Sequence, residues 1–136
     1  MNRTVIALVD DLFWRTKIEH AVKSAESPIV FLSDPAELTA AADPQSVGVL
    51  LVDLSMRKEP FDAIAKLKKS ARTKAIPVIG YYEHVRKDLQ QKGNAAGCDE
   101  VMPRSSFSQN LGDLVMKYAM PGSVRTESEE EELPEE

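Results

Sequence analysis

The chain has a single cysteine, Cys98, so it can form no intrachain disulfide and no cysteine-rich metal site. No apolar run approaches the ~18 residues that a membrane helix needs. Its two histidines, His20 and His84, lie far apart and have no cysteine or carboxylate partner at metal-ligand spacing, so they do not suggest a zinc site. No Gly-x-Gly-x-x-Gly and no Gly-Lys-Ser/Thr loop is present, which argues against nucleotide binding. The start, Met1-Asn2-Arg3-Thr4, runs directly into a strand-like stretch and lacks the three parts of a signal peptide. A cytoplasmic protein with no membrane contact is the expectation.

What is present suits one domain with a real core: 136 residues, 43% apolar and 29% charged. The net charge of −5 is unevenly spread. Residues 125–136 hold Arg125 and seven glutamates, and removing that −6 leaves +1 for the rest. A nearly neutral domain does not suggest nucleic-acid binding. The basic run Lys66, Lys68, Lys69, Arg72 and Lys74 has no interleaved aromatics and reads as a solvated face. Residues 121–136 lack apolar periodicity and read as a disordered acidic tail after a domain spanning 1–120.

Strand and helix patterns alternate along the domain. Thr4–Val9 and Val47–Val52 are continuous apolar runs, as expected for strands buried on both faces of a parallel sheet. Between them, Trp14, Ile18, Ala21, Val22 and Ala25 recur at helical spacing, with Asp11 placed to cap that helix. Pro28–Leu32 reads as a second strand, followed by a short helix to about Ala42, with Ser33 or Asp34 as its cap and Pro35 in its first turn. After a loop from Leu54 to Glu59, Pro60 opens a helix with Phe61, Ile64, Ala65 and Leu67 inward. Ile76–Tyr81 is a fourth strand. A polar helix from about His84 to Ala95 follows, with Val85 and Leu89 as its apolar stripe and Gly93 and Gly97 at or after its end. Glu100–Met102 is a short fifth strand, and Phe107, Leu111, Leu114, Val115 and Tyr118 mark a last helix that stops before Pro121. Five β/α units with right-handed crossovers result, an α/β fold.

Asp10 and Asp11 close the first apolar run and Asp53 closes the third strand. In open parallel sheets functional residues gather at the carboxyl ends of strands, so the three carboxylates are expected in one small volume. Such a group repels itself by about 4 kcal/mol per pair at ~4 Å in an effective dielectric of ~20. A cation or a basic side chain relieves this, which makes an oxygen-lined Mg²⁺ pocket the first expectation.

In this order and spacing the chain resembles the receiver domain of two-component response regulators over about residues 3–120. The resemblance rests on Asp10-Asp11, Asp53, Ile76-Pro77-Val78-Ile79, Ala96-Gly97 and Arg104. It implies a doubly wound, flavodoxin-like sheet of order 2-1-3-4-5 and a role in phosphorelay signal transduction. It makes Asp53 the candidate phosphoacceptor, Asp11 the direct Mg²⁺ ligand with Asp10 beside it, and the Ser55 backbone carbonyl a further ligand. It implies protein partners, such as a histidine kinase or a downstream signalling protein. In many receivers it also implies a homodimer through the last two units.

The chain departs from the receiver pattern around the same site. Receivers carry a lysine after strand five and then a proline; here the residues are Arg104 and Ser105, with Pro103 one place earlier. The planar guanidinium is not equivalent to an ammonium, and it is expected to pair bidentately with Asp53 and occupy the pocket. Aligned from Pro77, the usual Ser/Thr and small residue become Tyr82 and Glu83, and the aromatic switch position is Val101. The expectation is an atypical, stand-alone receiver, weakly phosphorylated or not at all. It would act through the α4–β5–α5 face with Tyr81 or Tyr82, His84, Val85, Arg86, Val101 and Tyr118. The alternatives are a conventional Mg²⁺-dependent phosphoacceptor and, remotely, an aspartate-nucleophile phosphatase. The last lacks a second aspartate two places after Asp53, where Ser55 stands.

Overall fold

The computed structural model describes residues 2–120; the expected acidic tail and its boundary lie outside the described residues. The elements are β1 (Thr4–Leu8), α1 (Leu12–Ser24), β2 (Ile29–Leu32), a 3₁₀ turn (Pro35–Glu37) leading into α2 (Leu38–Ala41), β3 (Val47–Asp53), α3 (Phe61–Lys69), β4 (Val78–Tyr82), α4 (Lys87–Ala96), β5 (Glu100–Pro103) and α5 (Arg104–Ala119). The five strands form one parallel sheet of order β2-β1-β3-β4-β5.

The continuous apolar runs are explained by burial on both faces. Side chains alternate along a strand, so Leu50 and Val52 join a core with Ile64, Leu67 and Leu89, on the side of α2, α3 and α4. Val49 and Leu51 join a second core with Trp14, Ile18, Val22, Phe107, Leu111 and Val115, on the side of α1 and α5. Each fully buried side chain of this kind contributes about 1.5–3 kcal/mol against the chain entropy. Asp11 caps α1, its Oδ1 accepting the Trp14 N–H at 3.0 Å, and Asp34 caps the 3₁₀ turn by accepting the Ala36 N–H at 3.0 Å.

One helix, α4, differs from the sequence expectation in its start and in its glycines. α4 begins at Lys87 rather than His84. Residues 83–86 are spent on a turn, closed by the Arg86 N–H on the Glu83 carbonyl at 2.8 Å. The turn delivers Leu89 to the core and leaves Val85 exposed, so Val85 is not part of a buried stripe. Gly93 lies inside α4, while Gly97, at φ +109°, ends it.

The basic run is not wholly solvated either. The Lys68 ammonium is largely withdrawn from solvent. It donates to the Lys74 and Ile76 carbonyls at 3.0 and 2.8 Å and to Asp99 Oδ2 at 2.7 Å. The same Asp99 oxygen accepts the Val78 N–H at 2.7 Å, so one ion pair fixes α3, the entry to β4 and the entry to β5 together.

Candidate functional site at the carboxyl end of the sheet

β1 and β3 are hydrogen-bonded neighbours with Leu8 opposite Val52, so the residues just beyond them leave the sheet side by side. That brings Asp10 and Asp11 to Asp53. Asp10 faces the loop after β3: its Oδ2 accepts the Arg57 N–H at 3.1 Å and lies 3.7 Å from Arg57 Nε. The Arg57 side chain is otherwise open to solvent, so this ion pair is weak. Asp11 spends one oxygen on the cap of α1.

Asp53 is 1% exposed. Its Oδ1 accepts the Ser55 N–H at 2.9 Å, and its Oδ2 lies 3.8 Å from Nη2 of Arg104, the first residue of α5. The expected bidentate pair is not formed, because a single contact at that length is an ion pair without a hydrogen bond. Arg104 is held back by packing. Its Cζ lies 5.8 Å from the Trp14 ring centroid, and its buried Nε has no hydrogen-bond partner. Burial raises the Asp53 carboxyl above its ordinary value, and the neighbouring Asp10 and Asp11 add to this. The Ser55 N–H and Arg104 pull the other way without prevailing.

The tyrosines divide between the two faces of the sheet. Tyr81 sits directly opposite Asp53 in the β3–β4 register and is fully buried on the same side. Its ring stacks on Phe107 at 4.1 Å and lies 5.2 Å from Trp14. Its hydroxyl has no hydrogen-bond partner, and burial, followed by the Asp53 charge, pushes the phenol well above its ordinary value. Tyr82, the residue aligned with the receiver Ser/Thr, turns to the other core beside Leu54, Met56 and Leu89. Ser55 Oγ accepts the Glu83 N–H at 3.2 Å, tying the end of β4 to the loop after Asp53 and leaving the Glu83 side chain exposed.

The expected α4–β5–α5 surface is smaller than the sequence suggested. Tyr81 and Tyr82 are buried, and Val101 packs against the core. Tyr118 is half-buried and donates to Glu100 Oε2 at 2.7 Å. His84, Val85 and Arg86 remain exposed. Sequence reasoning missed Tyr81 as a buried neighbour of Asp53 and Arg57 as the partner of Asp10. Strand alternation carries the first signal, since Ile79 and Tyr81 share a face.

The oxygen donors suit Mg²⁺ in kind, and Asp10 and Asp11 each keep one carboxylate oxygen free. Among the described residues no three His, Cys, Asp or Glu already stand grouped around a point that could hold a metal ion. The charge of Asp10 and Asp53 is met instead by Arg57 and Arg104.

No protein-family model matches the chain, and no curated protein matches it. Solved structures do. The phosphorylated cyanobacterial phytochrome response regulator RcpA is 16% identical, with a TM-score of 0.73 over 87% of this chain and 94% of that one. The chemotaxis response regulator CheY4 of Vibrio cholerae is 18% identical, with a TM-score of 0.72 over 86% and 98%. The receiver domain of the sensor histidine kinase PA1611 from Pseudomonas aeruginosa, with magnesium coordinated in its active site cleft, is 13% identical, with a TM-score of 0.74 over 87% and 98%. The chain therefore has the fold of response regulator receiver domains. Among the described residues no helix is long and apolar enough to cross a membrane.

Proposed function

We propose that this chain is an atypical receiver of two-component signalling that works by contact with another protein, with Asp53 phosphorylated weakly or not at all. One observation carries the reading: Asp53 is sealed from solvent, already bonded to the Ser55 N–H, and faced by Arg104 rather than a lysine. Three further features support it. Glu83 adds a carboxylate at the end of β4, Val101 replaces an aromatic switch residue, and Tyr82 points its ring away from Asp53 into the opposite core. No enzymatic turnover is assigned, since Ser55 stands where a second catalytic aspartate would be needed. The partner is a histidine kinase or a downstream signalling protein, and the exposed turn His84-Val85-Arg86 is available to meet it.

A second reading, the conventional Mg²⁺-dependent phosphoacceptor, is favoured by the convergence of Asp10, Asp11 and Asp53 and by the magnesium in the PA1611 receiver. In it, Asp11, Asp53 and the Ser55 carbonyl would hold the ion with Asp10 beside it, and the ion would neutralise charge on the transferring group. Incubation with Mg²⁺ and acetyl phosphate or phosphoramidate, followed by intact mass, separates the two. A phosphoryl adduct that disappears in Asp53→Asn establishes the second reading. Its absence, together with no Mg²⁺-dependent change in Trp14 fluorescence, favours the first.

A further inference from the structure

The surface cations are unevenly paired. Nine of the described lysines and arginines form no ion pair with a carboxylate among the described residues; four of them are Arg3, Lys69, Lys74 and Arg72, the last reaching the Ala42 carbonyl at 3.4 Å. All four sit at the amino-terminal edge of the sheet, opposite the acidic site. Arg3 precedes β1, Lys69 ends α3, and Arg72 and Lys74 lie in the turn that feeds β4. A groove of about 300 Å³ opens at this edge; its lining includes Arg3, Pro77, Tyr118, Met120 and Lys117, the last already paired with Glu100 at 3.8 Å. The Arg3 N–H also donates to the Ala119 carbonyl at 2.6 Å. The last described residue, Met120, thus lines the groove together with Arg3, while Lys69, Arg72 and Lys74 lie outside its lining on the same edge of the sheet.

The segment that follows is the glutamate block. Glu127 is seven residues beyond Met120, a span of at most ~25 Å when extended, and residues 127–136 carry −7 against +2 for the rest of the chain. We propose that residues 127–136 dock on this basic edge of their own domain, with glutamates meeting Arg3, Lys69, Arg72 and Lys74. Single exposed ion pairs contribute about 0.2–1 kcal/mol, which is too little alone. A covalently attached block instead meets the edge at an effective concentration on the order of millimolar, and several pairs form in one closure. Docking of this kind is strongly salt-dependent.

The test is an amide NMR comparison of the full chain with a variant in which all seven tail glutamates are glutamine. At about 20 mM salt the Arg3, Lys69, Arg72 and Lys74 amides should differ between the two proteins, and at about 500 mM salt they should coincide. The difference should not depend on protein concentration, and Arg3→Gln/Lys74→Gln, at two exposed positions, should remove most of it. Identical low-salt spectra overturn the proposal. So do differences confined to another face, or differences that grow with protein concentration and so place the tail on a second copy.

Discussion

Arg104 approaches Asp53 from one side only, its Nη2 3.8 Å from Oδ2, and of the two side chains only that of Asp53 is nearly sealed from solvent. Burial therefore costs the carboxylate more than the guanidinium returns. The folded carboxyl titrates above its ordinary 3.8, so folding favours the protonated acid. The acid's contribution to stability is fully present below pH 3.8 and is lost as pH rises through the raised folded value.

Asp53→Asn should accordingly stabilise the protein near neutral pH. Asparagine keeps an oxygen for the Ser55 N–H and discards the buried charge. The gain should be about 1 kcal/mol, or roughly 4 °C in Tm, and should shrink toward zero as pH falls to the ordinary carboxylate range. Thermal unfolding of both proteins across pH, in chelator, measures this. A gain that is constant with pH would show that the charge is not its source.

Tyr81→Phe is expected to be neutral or to stabilise by up to about 1 kcal/mol, although Tyr81 is wholly buried. The ring keeps its stack on Phe107, and only a hydroxyl without a hydrogen-bond partner is lost. Denaturant unfolding tests it. A loss above about 1 kcal/mol would mean that the hydroxyl has a partner in solution, an ordered water among them.

The difference between Tyr81 and Tyr82 also shows what the sequence makes legible. β1 and β3 announce themselves because burial on both faces produces unbroken apolar runs, and the acids at their ends follow from chain order. Which tyrosine faces Asp53 depends on strand parity and cross-strand register, and an alignment anchored at Pro77 chooses a position without choosing a face. Val85 stands four residues before Leu89, the spacing of a helical stripe, yet the turn at 83–86 takes it out of the helix. Lys68 is hidden within a basic run, because its three acceptors come from Lys74, Ile76 and Asp99, brought together only by the fold.

Lys68→Met should cost about 2 kcal/mol, since it strips a charged donor from three acceptors in one step. Gly97→Ala should cost about 1–2 kcal/mol. A side chain at φ +109° is strained, and the added Cβ would stand 2.9 Å from Lys68 Cγ. The two positions touch, so their effects should not add: the double variant should lose less than the sum of the single losses. Urea unfolding of the four proteins closes the cycle. Strict additivity would show that Gly97 and Lys68 do not share a constraint.

The departures around Asp53 can be reversed one at a time. Arg104→Lys replaces a wide fork with a compact, mobile ammonium, and Glu83→Ala removes a carboxylate from the end of β4. If these residues are what keeps a phosphoryl donor from Asp53, the double variant should accept label from acetyl phosphate faster than the parent chain. The expected gain is about tenfold, corresponding to ~1.4 kcal/mol off the barrier. The gain should require Mg²⁺ and vanish when Asp53→Asn is added. Intact mass against time gives the rate. An unchanged rate in a folded double variant would place the block elsewhere, and burial of Asp53 itself, at 1% exposure, would then be the barrier to relieve.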